Sequence, residues 1–289
     1  VIRSLVREAR PKQWMKNVLV FAAPASAGVL DNWPWLWRTL VAFVAFCLVS
    51  SGTYYWNDIH DVEADRKHPR KRLRPIASGA VPLGTAKVVG TALLLGGIAL
   101  AFTVQWKLGA VVVGYVVLTT AYSSVLKHVA VVDLVAVAAG FVLRAVGGAV
   151  ATSVHMSTWF VLTTSFGSLF IVTGKRYAEL REYGDDAGAA RASLDDYTLG
   201  FLRIVLSVSV GSALVSYCIW AFDTREVSGA TWPFYELSIL PMATALLRYT
   251  LILEQGHGAA PEEIFASDRT LQVLGVLWVA VFAMGVYLA

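Results

Sequence analysis

Four side chains near residue 60 have the types and spacing of a cation site. The segment from Tyr54 to Asp65 reads Y-Y-W-N-D-I-H-D-V-E-A-D. On a helix advancing 100° per residue, Asn57, Asp58, Asp61 and Asp65 fall within an arc of about 100°, Tyr54 and Ser50 extend that arc, and Glu63 turns away. Like-charged carboxylates on one face repel one another unless cations lie between them. Hard oxygen ligands beside an amide suit Mg²⁺, which keeps several waters and binds through one or two carboxylates plus substrate phosphates. The alternative is a solvated acidic helix end, neutralised by the basic run Arg66, Lys67, Arg70, Lys71, Arg72 and Arg74 that follows. Carboxylates for a metal next to cations for oxyanions make up the apparatus of a polyphosphate site. Lys16, Lys67, Arg70, Arg72, Lys127, Lys175 and Arg176 are the cations expected to hold phosphate, and Tyr54 and Tyr122 could hydrogen-bond it.

The elements that must position these groups are membrane helices. The chain has 289 residues, 57% hydrophobic and 15% charged, with a mean hydropathy of +0.61 and a pI near 9.1. A soluble domain carries about 25% charged residues and cannot hide this much apolar surface, which excludes a cytosolic enzyme, a disordered chain and a disulfide scaffold. Spanning helices need roughly 20 apolar residues, and the pattern predicts nine, at about 17 to 31, 38 to 56, 84 to 105, 108 to 126, 129 to 151, 157 to 175, 198 to 222, 232 to 252 and 270 to 288. The first is short and holds Pro24. Without the alternation of about 10 residues per strand seen in barrels, the expected fold is an all-α polytopic membrane protein, one domain over residues 1–289. Lys and Arg fall on alternate loops, so the amino terminus is expected to be cytoplasmic and the carboxyl terminus outside. No cleavable signal peptide is visible, Cys47 and Cys218 read as buried reduced thiols, and the five histidines lack metal-ligand spacing.

The pattern N-D-x-x-D-x-x-x-D at Asn57, Asp58, Asp61 and Asp65, R-P-x-x-x-G at Arg74 to Gly79 and Y-S-x-x-L-K at Tyr122 to Lys127 resembles the UbiA superfamily of intramembrane transferases. The resemblance spans essentially the whole chain. It implies nine transmembrane helices around a central cavity, a Mg²⁺-bound diphosphate and lateral entry of a lipidic substrate. It also implies that Asp58 and Asp61 are catalytic and that Asp58, Asp61 and Asp65 form a metal site supported by Asn57. Most prenyl-transferring members carry a second Asp-rich motif after the sixth span, where this chain reads Gly174-Lys175-Arg176-Tyr177-Ala178-Glu179-Leu180. That departure, together with R-P-K-Q-W-x-K-N at Arg10 to Asn17, resembles the branch that uses a sugar donor. The implied donor is 5-phosphoribosyl 1-diphosphate, and the implied acceptor is a long-chain polyprenyl (decaprenyl) phosphate. The product would be a lipid-linked phosphoribose for cell-wall arabinan, made at the cell membrane. An anionic phosphate nucleophile needs no general base, so the missing catalytic His or Cys is no objection.

Two rivals remain at this level. Transfer of a prenyl group to an aromatic acceptor would make Asp185 and Asp186 metal ligands, and a transporter or lipid-binding protein would do no chemistry. On α-helical spacing Lys175 and Glu179 could simply pair with each other. Arg144, inside the fifth span, could receive an acceptor phosphate or pair with an acid, and Asp133 lies on nearly the same helical face. The glycine pairs Gly96-Gly97 and Gly147-Gly148 read as close helix packing. Membrane lipid is an expected partner, nucleic acid is not, and the apolar surface is compatible with a homo-oligomer.

Overall fold

The structure, a computed structural model, describes residues 2–69, 71–183, 194–256 and 261–288. Its elements are helices: α1 Ile2–Glu8, a 3-10 segment Pro11–Phe21, α2 Ala22–Ser26, α3 Trp33–His60, α4 Val62–Lys67, α5 Leu83–Val104, α6 Trp106–Ser124, α7 Val132–Ala151, α8 Thr158–Tyr183, α9 Leu199–Ser228, α10 Phe234–Leu237, α11 Ile239–Glu254, α12 Pro261–Ser267 and α13 Arg269–Tyr287. Short 3-10 turns lie at Lys71–Leu73 and Leu126–His128. Among the described residues, seven segments are long and apolar enough to cross a membrane, with α10 and α11 together forming one of them. These include α3, α5, α6, α7, α9 and α13. The chain is an integral membrane protein.

Two of the nine expected spans are not among these seven. The sixth, α8, has 26 residues and so spanning length, but polar Thr and Ser residues dilute its apolar run. The first, expected at about 17 to 31, is an 11-residue 3-10 segment followed by the five residues of α2. Pro24 sits within that second piece and lacks the N–H that a longer helix would use.

Two compact units divide the chain. The first comprises Val1–Ser124 and Leu143–His155, the second Val125–Val142 and Met156–Ala289. In the first, α3 packs along α5, where Gly90 meets the Tyr55 Cβ and Gly97 meets the Ala45 carbonyl, positions with no room for a further carbon. Val20, Ala42, Ala45, Phe46, Val49, Leu108 and Val112 form its core, while Val88 and Leu95 of α5 and Val117 of α6 point outward, as lipid-facing side chains must. A smaller cluster of Tyr55, Val62, Ile76, Val81 and Ala86, joined by Leu5, ties the end of α3 to α1 and to the loop before α5.

The amino-terminal strap, from α1 through the 3-10 segment, is tied to α3 by side-chain hydrogen bonds. Tyr55 donates to the Leu5 carbonyl at 2.7 Å, Ser51 to the Ala9 carbonyl at 2.9 Å, and the Trp14 indole to Ser51 at 3.0 Å. Gly148 of α7 gives this strap its seat: a Cβ there would lie 1.7 Å from the Val20 carbonyl oxygen.

The second unit is built on α8 and α9, with Leu134, Phe170, Tyr177, Leu202, Tyr249 and Leu253 in its core. An aromatic cluster of Tyr217, Trp220 and Tyr235, packed by Trp278 and Phe282, fills another part of it. Thr198 caps α9 by accepting the Phe201 N–H at 3.1 Å, and Asp268 caps α13 by accepting that of Leu271 at 2.8 Å.

Candidate active site

Helix α3 ends at His60 and α4 begins at Val62, and two backbone hydrogen bonds tie the junction. The Asp61 N–H donates to Asn57 at 2.9 Å and the Asp65 N–H to Asp61 at 2.8 Å. Asp61 stands at the junction itself, at a φ of −89° and a ψ of 6°, and Asp58 and Asp65 on either side of it share one partner. Asp58 and Asp65 are each 3% exposed, whereas Asn57 and Asp61 are half-buried.

A buried carboxylate needs a partner, and here both are supplied by arginines that precede a proline. Arg74 Nη1 donates to Asp58 Oδ1 at 3.0 Å and to Asp65 Oδ2 at 2.7 Å, so a single guanidinium nitrogen bridges the two acids. Arg10 Nη2 takes the other oxygen of Asp58 at 2.5 Å, and its guanidinium lies 4.8 Å from the centre of the Tyr54 ring. Arg10 has a φ of 52°, a left-handed backbone that is uncommon for a side chain of this size and disfavoured before proline. Such strain persists where the surroundings over-determine it. In the Arg74-Pro75-Ile76-Ala77-Ser78-Gly79 turn, the Ser78 N–H donates to Arg74 at 2.9 Å and the Val81 N–H to Pro75 at 2.9 Å. Gly79 closes the turn at a φ of 79°, which a side chain would strain.

Glu8, at the end of α1, adds a third carboxyl. It is 1% exposed, and neither of its oxygens receives an N–H or O–H from another residue. Burial, first, and then its contact with Asp58 push its pKa up to about 8. Glu8 therefore holds its proton at neutral pH.

Among the described residues, no three His, Cys, Asp or Glu side chains gather closely enough to hold a metal ion. The donor set still fits Mg²⁺: Asp58 and Asp65 offer hard oxygens, already hold one positively charged atom between them, and Mg²⁺ binds through as few as one or two carboxylates.

The other expected residues of this unit differ in exposure. Lys16 and Tyr122 are half-buried, while Lys67 and Arg72 are exposed. Arg70 lies outside the described residues. Within the bundle, Arg144 is 6% exposed; its Nε donates to Asn17 Oδ1 at 2.6 Å and its Nη2 to the Tyr115 hydroxyl at 2.8 Å. The Asn17 amide in turn donates to the Cys47 sulfur at 3.2 Å.

In the second unit, Lys127 is half-buried in the Leu126–His128 turn. Lys175 is 39% exposed and 3.9 Å from Glu179, a distance at the limit of an ion pair. Arg176 faces the other way, 3% exposed, with Nε donating to Asp133 at 3.2 Å and Nη1 to Glu179 at 2.8 Å. Asp133, fully buried, also accepts from the Tyr197 hydroxyl, which accepts the Val131 N–H at 2.6 Å. Burial and the hydrogen bond to Asp133 raise the Tyr197 hydroxyl far above the usual phenol range. Asp185 and Asp186 lie outside the described residues.

Glu8, Arg10, Arg74, Asn17 and Tyr197 were not singled out as site residues from the sequence. For the two arginines a signal existed, since each opens an Arg-Pro pair inside a motif. Glu8 carried none, being one acid among topogenic cations.

The profile of the UbiA prenyltransferase family matches residues 18–274. The chain is 42% identical over 288 residues to the decaprenyl-phosphate phosphoribosyltransferase of Corynebacterium glutamicum, covering 98% of this chain and 87% of that one. It is 42% identical over 284 residues to the protein of the same name from Mycobacterium tuberculosis, covering 97% and 93%. A UbiA homologue from Archaeoglobus fulgidus bound to DMAPP and Mg²⁺ has the same fold, with a TM-score of 0.75 at 16% identity over 99% of this chain and 100% of that one. With the acidic face, the paired arginines and the all-helical membrane fold in place, this chain belongs to the UbiA prenyltransferase family.

Proposed function

We propose that the protein transfers the 5-phosphoribosyl group of 5-phosphoribosyl 1-diphosphate to a long-chain polyprenyl phosphate, with release of diphosphate. The observation that carries this reading is the near-full-length identity of 42% to two decaprenyl-phosphate phosphoribosyltransferases. The cationic Gly174-Lys175-Arg176 sequence, where prenyl-transferring members hold a second acidic motif, supports a donor richer in phosphate. Residues 1–289 act as one transferase domain in the cell membrane, with the acidic face and amino terminus cytoplasmic and the carboxyl terminus outside, as the alternation of cationic loops indicates. The product serves the building of cell-wall arabinan.

Asp58, Asp61 and Asp65, assisted by Asn57, hold Mg²⁺, which when bound neutralises charge on the diphosphate leaving group. Lys16, Lys67, Arg70, Arg72, Lys127 and Lys175 bring two anionic substrates together against their repulsion, an effect of pre-placed charge. Arg176 holds Glu179 and Asp133, and through Glu179 it orients Lys175 beside it. Tyr54 and Tyr122 position the ribose and phosphates, and Arg144, held by Asn17 and Tyr115, is the cation proposed to receive the acceptor phosphate. The bond from ribose C1 to the diphosphate oxygen breaks while an acceptor phosphate oxygen bonds to C1. That oxygen is already anionic, so no side chain must remove a proton.

A donor choice tests this. Purified protein in detergent with Mg²⁺ receives 5-phosphoribosyl 1-diphosphate and polyprenyl phosphate in one reaction, and a prenyl diphosphate with an aromatic acceptor in another. Phosphoribosylated lipid in the first alone, seen by mass spectrometry, is the expected result. Prenylated product in the second overturns the proposal.

A further inference from the structure

The acids of the first unit are buried and the arginines that neutralise them are not. Asp58 and Asp65 side chains are each 4% exposed, while those of Arg10 and Arg74 are 30% and 31% exposed. Both oxygens of Asp58 and one of Asp65 are engaged by these two guanidinium groups. Mg²⁺ draws oxygens to about 2.0–2.1 Å, well inside the 2.7 and 3.0 Å at which Arg74 Nη1 holds the same carboxylates apart. An ion bridging Asp58 Oδ1 and Asp65 Oδ2 would take the position that Arg74 Nη1 now holds, so the two cations compete for it. Of the two sides, only the arginines can leave: they are long and half-open to their surroundings, whereas the acids are fixed on the α3–α4 turn. Arg10 is further pinned at its backbone by the strained φ before Pro11, so that its side chain alone moves.

We propose that Arg10 and Arg74 are resident counter-cations that compete with the divalent ion for Asp58 and Asp65 and pass to the donor's diphosphate when the ion binds. The inference rests on the reading that these aspartates are metal ligands. It goes beyond that reading in making ion and donor mutually dependent. An ion arriving alone must displace two guanidinium groups and then sit beside them, cation against cation. A diphosphate offers those groups bidentate phosphate oxygens in exchange, for which arginine's planar fork is suited. The acids are thus never left bare, and the site closes on the ion only when a donor is present to receive the arginines.

Binding of Mn²⁺ alone, without donor and without turnover, reads this directly. Full-length protein in detergent is titrated with Mn²⁺ and the free ion is counted by electron paramagnetic resonance. Arg74→Gln is expected to tighten Mn²⁺ binding by about tenfold or more, since it removes two charge-assisted bonds from the acids. Arg10→Gln, which removes one, is expected to tighten it by a smaller factor and decides the matter should Arg74→Gln fail to fold. Asp58→Asn is expected to weaken binding. Unchanged or weaker Mn²⁺ binding in the folded arginine variants, with Asp58→Asn still weakened, overturns the competition and spares the metal site. If Asp58→Asn leaves Mn²⁺ binding intact, the metal site itself is wrong and the proposal falls with it.

Discussion

Replacing Gly148 by alanine tests how the amino-terminal strap is held. A Cβ at this position lies 1.7 Å from the Val20 oxygen and 2.7 Å from its carbonyl carbon. Both are backbone atoms, so the 3-10 segment must retreat by roughly 1.5 to 2 Å to reach ordinary contact. That retreat breaks the 2.6 Å bond from Arg144 to Asn17, one turn upstream of Val20. Overpacking costs about 1–3 kcal/mol, loss of a hydrogen bond to a charged group about 1.5–3, and the better helix propensity of alanine returns about 1. The net expectation is a loss of about 2–5 kcal/mol. Gly114→Ala on α6 is the matched control, because nothing lies within 4 Å of its added carbon and only the propensity gain applies. Thermal unfolding in detergent, followed by fluorescence-detected size exclusion, should place Gly148→Ala well below wild type and Gly114→Ala at or slightly above it. Adding Asn17→Ala should cost less in the Gly148→Ala background than in wild type, because the bond it removes is already gone. If Gly148→Ala melts with Gly114→Ala, the seat described for the strap is refuted.

Other substitutions separate chemistry from structure. Asp58→Asn should reduce Mg²⁺-dependent product formation to background while the protein stays folded; normal turnover in this variant would remove Asp58 from the site. Arg176→Met should lose about 3–5 kcal/mol of stability by stranding Asp133, as expected when one partner of a buried pair is removed, whereas Lys175→Met should keep the wild-type melting profile and raise the donor KM. Equal melting of the two would refute the different roles assigned to them. Because Glu8 has its pKa raised from 4.5 to about 8, folding favours its protonated form. Its contribution to stability is whole below pH 4.5 and is lost as pH rises through 8. Protein treated with chelator should therefore melt progressively lower from pH 5 to 8, and Glu8→Gln should flatten that slope; an unaltered slope would place its cause elsewhere.

Much of the membrane architecture was written in local pattern. Helices α3, α5, α6, α7, α9 and α13 lie where runs of apolar residues predict them, because lipid selects for a property that is summed over neighbouring residues. Helical spacing alone suggested the acidic face, and in the structure Asp58 and Asp65 meet at one guanidinium across the break at Asp61. What escaped were groups whose roles depend on distant partners. Arg10 reaches Asp58 across 48 positions and Arg144 reaches Asn17 across 127, separations to which no periodicity is sensitive. The cations ahead of the first expected span read as topogenic charge, and that reading obscured Glu8 and Arg10. The same segment was expected to cross the membrane on hydropathy, although Asn17, its one fully buried polar residue, is there to meet Arg144. Lys175 and Arg176 read alike as phosphate ligands in sequence, because both fall in the cationic stretch where a second acidic motif is usual. One step along a helix turns a side chain through 100°, and that step buries Arg176 while leaving Lys175 exposed.

The seat beneath Val20 also orders the making of the protein. The strap leaves the ribosome early, but Gly148 and Arg144 follow more than a hundred positions later. At about 5–20 residues per second, the strap waits several seconds or longer with the Asn17 amide and the Trp14 indole lacking part of their final surroundings. During that interval it has little to hold it, since it is an 11-residue 3-10 segment running directly into the five residues of α2, and 3-10 runs of this length are uncommon. Nascent chains stalled before α7 emerges should therefore leave the strap open to water-soluble labels at an introduced cysteine, and chains extended past it should protect the same site.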